Sequence, residues 1–249
     1  MAEALRLYGL NALVTSGSSG IGEAVARTLV KHGATVLAVD GVNSGVERHF
    51  RSVRGIDGLA AELRDAGSIP ALIEAAIEKL GTIDILINEF PLQPETPITE
   101  PGPALDRLLE TRADLIMTMC RGALPYLKKS PAGRIVNIGF LRNIFSADGT
   151  EACTQAERDL AAITRALAAE TGKFGITANY VQPGAIMTAT SREVFRKDKK
   201  LRDFCISSSA ASRLGEPVDV AKVVLFLASD DAVFVSGTGV VVDGGRIET

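Results

Sequence analysis

Apolar positions along this chain follow two rhythms that take turns. Asn11–Thr15 (NALVT) is a short apolar run ending in a Gly/Ser turn. Over Ile21–Lys31, residues Ile21, Ala24, Val25, Thr28 and Leu29 recur at helical spacing. Ala34–Val39 (ATVLAV) is the next continuous run, and helix is predicted over Ser68–Leu80. Ile83–Ile87 (IDILI) reads as a buried strand, followed by a long helix over Ala104–Lys128. Arg134–Ile138 (RIVNI), a second long helix over Thr150–Thr171, and strands at Ile176–Val181 and Val240–Val242 complete the series. Unbroken β-branched runs suit parallel strands covered on both faces. Strands separated by helices imply right-handed crossovers. The pattern therefore predicts an α/β, three-layer, doubly wound Rossmann-type fold with a mostly parallel sheet of about seven strands.

Two stretches break the rhythm. Residues 41–58 carry glycines and charges without clear periodicity, and residues 189–212 are polar, basic and serine-rich. The second reads as a lid over a site. Its cations (Arg192, Arg196, Lys197, Lys199, Lys200 and Arg202) are interleaved with Glu193, Asp198 and Asp203, the composition of a solvated face. No linker, repeat or low-complexity tract divides the chain, so residues 1–249 read as one domain.

Composition narrows the function. A net charge of −3 offers no basic field for nucleic acid. No apolar run approaches the roughly 18 residues of a membrane span, and the N-terminus lacks the features of a signal peptide. A cytoplasmic protein is expected. Cys120, Cys153 and Cys205 are widely spaced, and His32 and His49 show no ligand spacing to them. Neither a disulfide framework nor a metal site is expected.

The chemistry begins at the first turn, Thr15-Ser16-Gly17-Ser18-Ser19-Gly20-Ile21-Gly22. It follows a strand and opens a helix, as a dinucleotide fingerprint requires. Glycines admit a pyrophosphate, and the helix N-terminus favours its charge. Asp40 ends the second strand, about 20 residues further on, where a carboxylate accepts ribose hydroxyls. It would repel a 2′-phosphate, so NAD(H) is preferred over NADP(H).

These residues, with three later segments, resemble the short-chain dehydrogenase/reductase family along essentially the full length. The turn is similar to the family's TGxxxGxG, with Ser16 in place of the first glycine. Pro183-Gly184-Ala185-Ile186-Met187-Thr188 resembles its PGxIxT segment, whose isoleucine backbone and threonine hydroxyl hold the nicotinamide amide. Arg213–Ala221 resembles its RxGxPxDVA helix start, and Ser236–Gly245 its last strand and end. The resemblance implies cofactor contacts from Ser16, Gly17, Ser19, Gly20, Ile21, Gly22, Asp40, Asn88, Pro183, Gly184, Ile186 and Thr188. It also implies a homodimer or homotetramer, with a hetero-oligomer containing an active paralogue as the alternative.

The family's four catalytic side chains do not carry over. Its tyrosine and the lysine one turn later align with Cys153 and Glu157, its serine with Phe140, and its asparagine with Arg112. Asn88-Glu89-Phe90-Pro91 stands where NNAG is usual. The replacements are weak catalytic candidates. Glu157 lies one turn from Cys153 and opposes thiolate formation, and Arg112 and Glu157 are expected to pair as ions. Glu89 sits past a strand's C-terminal end, where ligands bind in open α/β sheets. Two functions stay open: a catalytically silent cofactor-binding member acting in an oligomer, and an NAD(H)-dependent carbonyl/hydroxyl oxidoreductase with a non-standard proton donor.

Overall fold

The computed structural model describes residues 6–90, 103–139 and 151–245. Its strands are β1 (Asn11–Thr15), β2 (Thr35–Asp40), β3 (Ile56–Ala60), β4 (Ile85–Asn88), β5 (Arg134–Ile138), β6 (Thr177–Pro183) and β7 (Gly239–Val242). They form a seven-stranded sheet in the order β3-β2-β1-β4-β5-β6-β7. Every pairing is parallel. The helices are α1 (Gly20–Lys31), α2 (Val46–Phe50), α3 (Ile69–Leu80), α4 (Pro103–Leu127), α5 (Glu151–Thr171), α6 (Ala189–Lys197), α7 (Lys199–Ser207) and α8 (Pro217–Ala228).

The apolar runs sort themselves by the two-residue period of the strand. Ala12 and Val14 of β1 face α1 and α8 together with Val36, Ile87 and Val136. Leu13 faces the other way, with Leu37, Leu86 and Ile135, toward α3, α4 and α5. Each fully buried Leu or Ile contributes about 1.5–3 kcal/mol relative to an exposed one. These two layers therefore fix the strand register. None of the described helices is long and apolar enough to cross a membrane.

Two expectations need correcting. Residues 41–58 are not irregular: they contain α2 and the start of β3. The strand is only partly buried, because it is the sheet's edge, and its run IDGLA lacks the apolar continuity of the central strands. The stretch expected as a lid also carries regular structure, α6 and α7. Thr188 and Ser191 form a reciprocal capping box on α6, and Asp198 accepts the Leu201 N–H at the start of α7. Two of the lid cations are tied locally, Arg196 to Glu193 at 2.9 Å and Arg202 to Asp203 at 2.7 Å. Such exposed pairs add little stability.

Candidate functional site

The C-terminal ends of β1, β4, β5 and β6 meet at one edge of the sheet. The chain order reverses between β1 and β4, the usual place for a ligand crevice. The turn after β1 is tightly built there. Ser16 adopts a left-handed backbone, φ 50°, at the position where the resembled motif has glycine. A Cβ on Gly17 would stand 2.7 Å from that of Ala38 on β2. One on Gly22 would strike the Ser16 carbonyl oxygen and lie 2.6 Å from Glu89 Oε2. Ser19, at the N-cap of α1, makes no side-chain capping bond. Gly20 faces the Thr188 methyl group, at the N-cap of α6.

Asp40 stands at the end of β2 beside this turn. Its Oδ2 accepts the Ser18 N–H at 3.0 Å and the Ser18 hydroxyl at 2.5 Å, and its Oδ1 accepts the Gly41 N–H at 2.8 Å. The carboxylate is thus aimed before any ligand arrives. It opens on a cleft of about 500 Å³ whose walls include Ser16, Leu63, Phe90, Thr111 and Arg112. Leu63 follows β3 and Thr111 lies on α4. Sequence reasoning missed both, together with Ser18 as the residue that aims Asp40. Recognising β3 as a strand would have pointed to Leu63.

Glu89 follows β4 and is held by its backbone. The Thr15 hydroxyl donates to the Glu89 carbonyl at 2.7 Å and accepts its N–H at 2.8 Å, and the Ser16 hydroxyl donates to the same carbonyl at 2.8 Å. The side chain runs to the N-terminal turn of α1, where Oε2 is enclosed with no hydrogen-bond partner. Burial pushes the carboxyl pKa up to about 8, against the opposing influences of Arg112 and the Gly22 N–H, with Asp40 adding to the rise.

Arg112, buried on α4, spends its guanidinium on backbone. Nε donates to the Phe90 carbonyl at 2.7 Å, and Nη2 donates to the Ile138 carbonyl. It ties the loop after β4 to the end of β5. Burial lowers its pKa to about 10, so it stays cationic at neutral pH, and the acid whose charge acts on it is Glu89. Arg112 and Glu157 are expected to pair as ions; the charge that acts on Arg112 here is that of Glu89. Glu157, on α5, accepts from the Gln182 side-chain amide at 3.4 Å.

Asn88, expected among the cofactor contacts, turns its side chain into the interior. It donates to Asn137 Oδ1 at 2.9 Å and to Cys120 Sγ at 3.2 Å, and Asn137 in turn donates to Thr164 on α5. Burial pushes the Cys120 thiol up to about 12, which makes it inert. Pro183 ends β6, Gly184 packs against Asp243, and Ile186 bridges to Gly215. Phe140 lies outside the described residues, as does the side chain of Cys153 on α5. Among the described residues, no cluster of His, Cys, Asp and Glu has the makings of a metal site.

The donor set fits a dinucleotide unevenly. Asp40 and the open cleft suit an adenosine half. Where phosphates would lie against α1, the structure places the Glu89 carboxyl group.

The chain is similar to known proteins along nearly its whole length. A family profile described as Enoyl-(Acyl carrier protein) reductase matches residues 16–246. The chain is 31% identical over 244 residues to a 3-oxoacyl-[acyl-carrier-protein] reductase of Vibrio harveyi, covering 97% of this chain and 98% of that one. It is 32% identical over 247 residues to the BbsD subunit of a (2S)-[(R)-hydroxy(phenyl)methyl]succinyl-CoA dehydrogenase of Thauera aromatica, with 94% and 95% coverage. With a 2-(R)-hydroxypropyl-CoM dehydrogenase of Xanthobacter autotrophicus it shares 30% over 243 residues, with 94% and 96% coverage.

Proposed function

We infer that this chain, which belongs to the short-chain dehydrogenase/reductase family of nucleotide-binding oxidoreductases, binds NAD(H) in preference to NADP(H) but has left its family's catalytic route. It acts as an atypical or catalytically silent member within a homo- or hetero-oligomer. One observation carries this reading: Arg112, aligned with the family's asparagine, spends its guanidinium on the Phe90 and Ile138 carbonyls. A group so used braces the site and has no proton to trade at neutral pH.

Asp40 would accept the adenosine ribose hydroxyls, and the first N–H groups of α1 would face the pyrophosphate. The Ile186 backbone and the Thr188 hydroxyl would hold the nicotinamide amide, as those of the resembled segment do. Bound there, the cofactor supplies a hydride carrier. Exposed Phe226, Val233 and Phe234, at the end of α8 and just after it, give an oligomer an apolar face.

A second reading keeps oxidoreductase activity with a substitute proton donor. Glu89 favours it, since burial holds a proton on that carboxyl group near neutral pH. A fluorescence titration with NADH and NADPH in parallel, followed by a panel of carbonyl substrates, separates the readings. Saturable NADH binding without turnover is the expected result. Turnover would favour the second reading, and binding of neither nucleotide would refute both.

A further inference from the structure

We propose that Glu89 sets this site's affinity for phosphate-bearing ligands, so that a dinucleotide seats only over the neutral carboxyl group and takes up a proton as it binds. The inference rests on the cofactor-binding reading above and adds a regulation to it.

The geometry leaves the side chain little choice. Three hydrogen bonds from Thr15 and Ser16 pin the Glu89 backbone. From there its carboxyl group reaches the first turn of α1, with Oε2 2.6 Å from where a Gly22 Cβ would stand. That turn is the positive end of a helix whose N-cap, Ser19, contributes no side-chain bond. Glu89 therefore holds ground that a bound phosphate would share.

Among the described residues, the charges around it are opposed. The Gly22 N–H on α1 and Arg112 on α4 favour the carboxylate, whereas burial and Asp40 at the end of β2 disfavour it. The Thr15 and Ser16 hydroxyls serve its backbone and do not relieve its charge. Among the described residues, Arg112, held by two carbonyls, is the cation that acts on it. A pyrophosphate arriving within one helical turn would add two negative charges to Asp40 and Glu89. Repulsion at low dielectric then favours whichever acid can discharge itself. Glu89, enclosed and with one oxygen lacking a hydrogen-bond partner, is that acid. The proton comes from the buffer.

Isothermal titration of the full chain with ADP-ribose from pH 6 to 9 tests this. The titrations are run in pairs of buffers with different ionisation enthalpies. ADP-ribose carries the pyrophosphate but no group of its own that titrates in this range, and adenosine serves as the phosphate-free control. For the natural chain, affinity for ADP-ribose should hold steady on the acidic side. It should then fall toward tenfold per pH unit on the alkaline side, with proton uptake rising toward one per ligand. Adenosine affinity should stay flat. Glu89→Gln should bind ADP-ribose with flat affinity and no proton uptake.

Flat affinity and no proton exchange in the natural chain would overturn the proposal while leaving cofactor binding intact. If neither the natural chain nor the variant bound ADP-ribose or NADH at any pH, the cofactor reading would fall and this proposal with it. The natural chain's own proton count decides the question even if the variant does not fold.

Discussion

Replacing Glu89 with glutamine should change how the stability of this protein depends on pH, by an amount the structure allows to be worked out. Burial raises the carboxyl pKa from 4.5 to about 8. The fold therefore prefers the neutral form. The stability linked to that preference is whole below pH 4.5 and is lost as pH rises through about 8. At 1.36 kcal/mol per pKa unit, the loss reaches about 3 kcal/mol by pH 7 and about 5 kcal/mol by pH 9. Glutamine keeps the shape and an acceptor for the Gly22 N–H but cannot ionise, so Glu89→Gln escapes the loss. Urea unfolding of both proteins from pH 6 to 9 isolates the effect, because the remaining titrating groups cancel in the difference. Between pH 6 and 8 the variant should gain about 2 kcal/mol on the natural chain. A difference that stayed constant to within about 0.5 kcal/mol over that range would refute the buried-acid argument.

Arg112→Met should destabilise the fold by about 3 kcal/mol, because two buried carbonyls lose their donors. Arg112→Lys should recover less than half of that in the same urea experiment, since an ammonium group cannot span both carbonyls as the guanidinium fork does. At Ser16 the left-handed backbone and the hydroxyl bond to Glu89 oppose each other. Ser16→Ala should cost about 1 kcal/mol, whereas Ser16→Gly loses the same bond but relieves about as much strain and should be near neutral. Thermal melts showing the glycine variant less stable than the alanine variant would contradict this account.

The sequence displays what is local. The central strands were legible because β1, β4 and β5 are buried on both faces and each carries adjacent apolar residues at its centre. β3 was not, because an edge strand with Asp57 and Gly58 in it has no such centre. Gly58 is required there by the close passage of the Glu47 backbone, which only the folded chain reveals. The glycine turn and Asp40 could be read as a linear motif and its spacing. The approach of Glu89 to Gly22 could not, since it depends on β4 lying beside β1. Nor could the partner of Arg112 be found by counting along α4 and α5. It is chosen by the adjacency of the ends of β4 and β5, which presents two carbonyls to one guanidinium.

The tie that Arg112 makes between those strand ends also has a mechanical consequence. The pairing of β4 with β5 ends at Asn88 and Asn137, and just beyond it one guanidinium holds the Phe90 and Ile138 carbonyls together. A side chain of α4 thus acts as one more rung on the ladder of the sheet. Any shift of that helix would be felt at both strand ends at once, so the mouth of the cleft moves as a single piece.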